Sequence, residues 1–302
     1  MKTFPIIEQH FHGAYGVDCN KANVNDIVNL ALKLRNDGIG GFFPTLVTDS
    51  VQNINRQIHI IKEASKKCSG ILGIHLEGNF LNPLKKGVHN NEYFLDLTID
   101  NFKLLEDDFI KIVTLAPELD QGLIAYLKYK GIKVQAGHCN GWCNVDIKPD
   151  GVTHMFNAMS GIVHRGISTA LSAIIDDDVY TEVIADGIHV SNDALMLLLK
   201  TKPKDKVILV SDSLPITYSD LKETIFADSK IYYDGEKATT EKGTLAGSTK
   251  LLPEIIKILG KKSLFFPEMI ENPYKYHNIE PAGYLIWDDE FNIVQNNITF
   301  EV

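Results

Sequence analysis

Apolar and β-branched residues gather in eight short runs along the chain. They are IIEQHFHG (6–13), GIGGFFPTL (38–46), GILGIHLEG (70–78), IKIVTLAPE (110–118), IKVQAGHC (132–139), GVTHMFNA (151–158), TEVIADGIH (181–189) and KVILVSDS (206–213). Amphipathic stretches separate most of them. In VNDIVNLALKLRNDG (24–38) the apolar positions Ile27, Leu30, Ala31 and Leu34 recur at helical spacing, and NDALMLLLK (192–200) has the same character. Strand and helix alternating over this length predict an α/β fold, a (β/α)8 TIM-like barrel. A doubly wound open sheet is the alternative.

The polar positions favour the barrel. Nearly every run is apolar through its body and delivers reactive side chains at its C-terminal end: His10 and His12, Thr45, Glu77, His138, His154 and Asn157, Asp186 and His189, and Asp212. In a barrel these ends converge on one face, where such folds carry their chemistry.

The pattern changes after the eighth run. Residues 225–246 predict a hairpin turning near Asp234-Gly235. GSTKLLPEIIKILG (247–260) predicts a helix with Ser248 at its N-cap and Gly260 at its end. The tail YLIWDDEFNIVQNNITFEV (284–302) predicts two strands around an acidic turn. The expected organisation is a barrel core over 1–224, a β-hairpin over 225–246, a helical return over 247–283 and C-terminal strands over 284–302. Hairpin and tail together are expected to form one small β-sheet packed on the barrel.

The 302 residues, 44% hydrophobic and 23% charged, fit one large domain or a domain with a small appendage. A net charge of -9 argues against a nucleic-acid partner, which requires clustered Lys and Arg. No stretch approaches the ~18 apolar residues of a membrane span, and the early apolar run stops at Glu8, so no membrane partner and a cytoplasmic location are expected. Four scattered cysteines (Cys19, Cys68, Cys139 and Cys143) read as reduced thiols rather than a disulfide framework or zinc knuckle.

Glu77, at the end of an apolar run, raises a chemical question. A buried carboxylate must be paired, protonated or bound to a metal, because desolvation otherwise costs several kcal/mol. Glu77, His138, His154 and the pair His10 and His12 supply metal-type ligands from four strand ends. Imidazoles with a carboxylate suit Zn²⁺ or Fe²⁺, and three protein ligands leave a position open. His10 and His12 point the same way because strand side chains alternate. Asp212 either moves a proton beside the metal or caps a turn at the strand end. His75 and His59 read as ordinary structural histidines.

In this order, HFHG, GIHLEGNFLNPLKKGVH, TLAPE, AGH, THMFNAM followed by HR, IADGIH, VSDS and GTLAGS resemble the N-acetylglucosamine-6-phosphate deacetylase family of the amidohydrolase superfamily. The resemblance covers residues 6 to 252. It implies a barrel of the metal-dependent hydrolase type and a divalent metal, Zn or Fe, held by Glu77, His138 and His154. Many amidohydrolases use a carbamylated lysine on the fourth strand, and VTLAPE has none there. His10 and His12 leave room for a second ion, so one or two ions per subunit are expected. The implied reaction is hydrolysis of the acetamide of an amino-sugar 6-phosphate, with Asp212 as general acid and base. The resemblance assigns substrate contacts to His89, His189 and Leu245. It assigns phosphate contacts to Asn157, the backbone of Ala158 and Arg165, the last reaching across a homodimer.

The chain also departs from the family pattern. It begins almost at the first barrel strand and its C-terminal segment is short, so the β region is expected to be reduced. His138 and His154 are 16 positions apart, which leaves little room for a helix between the fifth and sixth strands. Glu8 replaces an aspartate, Cys139 a small hydroxyl residue and Asn79 a proline, and Trp142 with its altered loop is expected to bear on the pocket. The competing functional readings are a deacetylase of N-acetylgalactosamine 6-phosphate or another acylated amine, and a non-catalytic sugar-phosphate binder.

Overall fold

The computed structural model describes residues 1–142 and 147–299, so the thiol expected at Cys143 and the end of the expected last strand lie outside the described residues. Eight parallel strands form one sheet in sequential order: β1 (Ile6–Phe11), β2 (Ile39–Val47), β3 (Ile74–Glu77), β4 (Ile110–Leu115), β5 (Lys133–Ala136), β6 (Gly151–Val152), β7 (Tyr180–Val183) and β8 (Val207–Leu209). Each strand coincides with one of the eight apolar runs, β2 and β7 each overrunning theirs by one residue. The sheet closes on itself at its mouth, where Phe11 bridges Ser213 and the Asp212 amide donates to the His10 carbonyl at 2.9 Å. The fold is therefore a barrel, and the open sheet is excluded.

Helix α1 (Val24–Asn36) forms where its spacing placed it. Asn23 caps it through the amides of Asn25 and Asp26, and Ile27, Leu30, Ala31 and Leu34 are buried against the barrel. Helix α2 (Val51–Ser65) and the shorter α3 (Ile99–Lys103), α4 (Leu123–Tyr129), α5 (Thr169–Ile175) and α6 (Asn192–Thr201) complete the outer layer. Between β5 and β6 none of the described residues is helical, as the short spacing required.

The barrel interior is polar in part, and a hydrogen-bonded chain runs through it. His75 uses both nitrogens, Nδ1 on the Gln9 carbonyl at 2.9 Å and Nε2 on Thr114 Oγ1 at 2.7 Å. Thr114 and Thr153 hydroxyls share a bond of 2.7 Å, and Thr153 donates to Gln135 Oε1 at 3.1 Å. These buried polar groups are tolerated because each of them finds a partner. His75 is thus the satisfied core histidine expected, whereas His59, expected in the core as well, is exposed because it falls on the outer face of α2.

The β appendage departs from the expectation. Residues 223–247 make not one hairpin but four antiparallel strands, Glu223–Phe226, Ser229–Tyr233, Ala238–Thr240 and Leu245–Gly247. The turn at Asp234-Gly235 is present, with Asp234 Oδ1 accepting from the Glu236 and Lys237 amides. A second tight turn at Ala227-Asp228 uses two left-handed residues, φ 48° and 61°. The tail strands Gly283–Trp287 and Ile293–Ile298 join Lys2–Thr3 in a separate three-stranded sheet. The expected single sheet is two, because the tail pairs with the N-terminus while the four strands cover the barrel mouth.

Helix α7 (Leu252–Lys261) also starts later than expected. Ser248 is not its cap: its hydroxyl donates to Asp186 Oδ2 at 2.9 Å, and Pro253 in the first turn sets the helix start. Gly260 lies inside the helix, because a Cβ there would stand 2.2 Å from the Phe291 ring. Helix α8 (Glu268–His277) then crosses the end of the barrel opposite the mouth, where His277 meets Gln9 of β1.

Candidate metal centre and cavity

Glu77 ends β3, with Gly78 behind it. A Cβ at residue 78 would sit 2.4 Å from the Thr48 amide, so only glycine lets the end of β2 approach this closely. Asn79 follows at φ 66°, a conformation closed to proline, and its amide donates to the Asp49 and Tyr93 carbonyls. These steps aim the Glu77 carboxylate into the barrel mouth.

Its two oxygens face two different pairs of histidines. Oε1 lies 2.9 Å from His154 Nε2 and 3.3 Å from His138 Nε2. Oε2 lies 3.0 Å from His12 Nε2 and 3.2 Å from His10 Nε2. Asp212 Oδ1 stands beside the second pair, 3.1 Å from His12 and 3.4 Å from His10. His89 is close by, its Nε2 3.8 Å from Oε2 and its Nδ1 bonded to the Thr48 hydroxyl at 2.8 Å.

The hydrogen bonds behind the rings fix what they present. His138 Nδ1 donates to the Lys85 carbonyl at 2.8 Å and His12 Nδ1 to the Thr45 carbonyl at 3.2 Å. A carbonyl only accepts, so in each neutral ring Nε2 carries the lone pair. These lone pairs face carboxylate oxygens, an arrangement that lacks a positive charge. Three buried carboxylates (Glu77, Asp212 and Glu182) lie against imidazoles, Glu182 with amide donors from Gln9 and His154 besides, and among the described residues no Lys or Arg ion pair reaches them. The donor set, nitrogen and carboxylate oxygen converging in a buried pocket, fits a divalent cation.

The electrostatics agree. Burial opposes ionisation of Glu77, but His10, His12 and His138 outweigh it and hold its carboxyl well below the usual carboxylate range. Burial likewise opposes protonation of His12, yet Asp212 and Glu77 lift its pKa to about 9. Either a proton or a cation must sit among these groups. His138, His154 and Asp212 adopt left-handed φ values of 48°, 30° and 52°, backbone strain of the kind that collects at functional sites.

The cluster opens into a cavity of about 560 Å³. Its lining includes the 84–89 segment, Asn157 and Ala158, together with Phe226 and residues 243–247 from the four-stranded sheet. His189 also lines it, its Nδ1 held by Asp186 Oδ2 at 2.8 Å. Of the residues singled out in the sequence, the structure gathers Glu77, His138, His154, His10, His12, Asp212, His89, Asn157, Ala158, His189 and Leu245 at this mouth. Arg165 is exposed on the 161–167 loop and does not line the cavity. Trp142, expected to alter the pocket, packs into the core instead.

Several residues here escaped the sequence reading: Glu182, Gln9, Thr48 and Phe226. Glu182 carried the same signal as Glu77, an acid inside an apolar run. Burial opposes its ionisation, but His10 and Gln9 hold its pKa down to about 2. Glu8 is buried too, and burial pushes its carboxyl up to about 8, so it is a neutral acid that accepts from the Ser211 amide.

No family model matches the chain. Among curated proteins it is 34% identical over 261 residues to the N-acetylglucosamine-6-phosphate deacetylase of Bacillus subtilis, covering 80% of this chain and 65% of that protein. It is 29% identical over 259 residues to the N-acetylgalactosamine-6-phosphate deacetylase of Escherichia coli O157:H7, covering 80% and 68%. The chain thus spans about two thirds of the length of these relatives. Its fold matches the crystal structure of N-acetylglucosamine-6-phosphate deacetylase from Pasteurella multocida at a TM-score of 0.88 and 25% identity, covering 99% of this chain and 86% of that one.

Proposed function

The chain belongs to the N-acetylglucosamine-6-phosphate deacetylase family of the amidohydrolase superfamily, and from this we propose that it hydrolyses N-acetyl-D-glucosamine 6-phosphate to glucosamine 6-phosphate and acetate. The observation that carries the reading is the Glu77 carboxylate between two histidine pairs, with Asp212 beside one of them, at the floor of an open cavity.

Glu77, His138 and His154 would hold one divalent cation, Zn or Fe. His10 and His12, on the other Glu77 oxygen, would hold a second. The chemistry a cation supplies when bound there is Lewis-acid activation of water and of the acyl carbonyl near neutral pH. Asp212 accepts the proton of the attacking water and returns it to the departing amine nitrogen. His89 and His189 both line the cavity and hold the acetamide oxygen. Leu245 packs against the sugar, while Asn157 and the Ala158 backbone hold the phosphate. Arg165, exposed and outside the lining of its own cavity, would reach the phosphate of a second subunit in a homodimer; its guanidinium fork suits that anion. Three buried free thiols, Cys19, Cys68 and Cys139, fit the reducing cytoplasm.

The test is acetate release from N-acetylglucosamine 6-phosphate and from the unphosphorylated sugar, before and after chelation and restoration of the metal. Metal-dependent turnover preferring the phosphorylated sugar supports the reading. A folded, metal-loaded protein without turnover removes it. The Escherichia coli relative keeps the galacto epimer in view as a second reading, and a parallel assay on N-acetylgalactosamine 6-phosphate separates the two.

A further inference from the structure

Glu182 lies on β7, below the mouth of the barrel, and lines no part of the cavity. It is 1% exposed, and three groups converge on its carboxylate. Oε2 lies 3.2 Å from His10 Nδ1 and accepts from the His154 amide at 3.4 Å. Oε1 accepts from Gln9 Nε2 at 2.6 Å. Gln9 is itself oriented from the far end of the barrel, its Oε1 3.0 Å from His277 Nε2 on α8. One carboxylate therefore touches two of the histidines proposed as metal ligands, His10 on β1 and His154 just past the end of β6.

The chemistry of the contact sets the state of His10. An ionised carboxylate only accepts, so His10 Nδ1 carries the proton and Nε2 is left with its lone pair. That Nε2 is buried and has no hydrogen-bond partner among the described residues, yet it points at Glu77 Oε2 and Asp212 Oδ1, 3.2 and 3.4 Å away. The ring cannot turn aside, because it is packed edge-on against His75 and His12, with centroids 4.7 and 5.2 Å away. His75 does not compete for a cation, since both its nitrogens are in use.

We propose that Glu182 is a positioning residue. Held by Gln9 and, through it, by His277, it fixes the His10 tautomer so that Nε2 is offered to a divalent cation shared with His12, Glu77 and Asp212. The inference rests on the metal site proposed above. A glutamine at 182 has nearly the same shape, but its NH₂ can donate to Nδ1. That would move the ring proton to Nε2 and face an N–H toward the cation position. A role in packing alone would tolerate the exchange, whereas a role in setting the tautomer would not.

The experiment is calorimetric titration of the metal-free full chain with Zn²⁺, and with Co²⁺ followed by its visible absorption, for wild type, His10→Ala and Glu182→Gln. Wild type is expected to take two ions and His10→Ala to lose one. Glu182→Gln is expected to weaken that same ion about 10–100-fold, the usual cost of removing the partner of a metal-bound histidine. The other ion and the urea midpoint of the metal-free protein should stay near wild type. Glu182→Asp, which keeps the charge but withdraws it from Nδ1, serves if the glutamine variant does not fold, and should weaken the same ion. Unchanged affinity in both variants overturns the proposal. So does a single wild-type ion indifferent to His10→Ala. Two ions bound as expected without any acetate release would instead sink the deacetylase reading and leave the role of Glu182 standing.

Discussion

His138 Nε2 and His154 Nε2 stand 3.2 Å apart, with Glu77 Oε1 within 3.3 Å of both. Since His138 Nδ1 donates to a carbonyl, its Nε2 lone pair is aimed at the other ring and at the carboxylate. His154 Nδ1 has no partner among the described residues to fix that ring's tautomer, so what holds these atoms together is either a proton on His154 Nε2 or a cation among them.

Glu77→Gln tests that positive charge directly. Both histidine pairs lose their shared carboxylate, so cation affinity should fall by more than the about 10–100-fold that an indirect partner costs. Metal content after dialysis and acetate release should fall together. A Glu77→Gln protein with full metal and full activity would remove the site.

Asp212→Asn separates proton transfer from binding of the ion on the His138 and His154 pair. The Asp212 carboxylate touches His10 and His12 but not the His138 and His154 pair, so the ion on that pair should be retained. Turnover should drop about 10²–10⁴-fold, the usual worth of a positioned acid or base. Wild-type kcat in the metal-loaded variant would leave Asp212 with a structural task only.

The Asp186 and His189 pair gives the wall of the cavity a pH dependence. Burial opposes the ionisation of Asp186, but His189 and two backbone amides hold its pKa down to about 2. Burial also opposes the protonation of His189, but Asp186 raises its pKa above the ordinary imidazole value. The Asp186 contribution is present above the ordinary carboxylate pKa and is lost as pH falls through about 2. The His189 contribution is full below the ordinary imidazole pKa and is lost as pH rises through its raised folded value. Stability lost in Asp186→Asn, read from urea midpoints, should therefore be largest between about pH 4 and 6.5, at about 1.5–3 kcal/mol, and shrink at both ends. A difference that does not vary with pH would show that the pair is not charged.

Gly260→Ala tests a packing contact away from the chemistry. Helix propensity alone would favour alanine by about 1 kcal/mol. The new Cβ, however, would meet the Phe291 ring at 2.2–2.5 Å, and overpacking of this kind costs about 1–3 kcal/mol. The single variant should be less stable than wild type by denaturant unfolding. In a Phe291→Ala background the same change should become stabilising; a penalty that persists there would place the cause in the backbone rather than the ring.

Much of this was legible in one dimension. The eight runs and their spacing determined the alternation of strand and helix, because a strand buried between layers must be apolar and a helix packed on it must be amphipathic, and the reactive residues at the run ends favoured a barrel over an open sheet. The acids and histidines at the run ends marked the mouth, since a charge at the end of a core strand needs a partner. Glu182 bore the same mark but sits in mid-strand, and nothing local distinguishes a carboxylate aimed at the cavity from one aimed beneath it.

Other features were decided only by the tertiary structure. Ser248 reads as a helix cap until Asp186, 62 positions away, takes its hydroxyl. Gly260 reads as a helix end until Phe291 packs over it. Residues 223–247 and the tail read as one sheet until each finds its own neighbours. Periodicity and residue type record what each segment buries and which atoms it can offer. Which nitrogen of His10 faces Glu77, and which oxygen of Glu77 faces which histidine, depends on contacts between strands far apart in sequence, and those exist only once the barrel has closed.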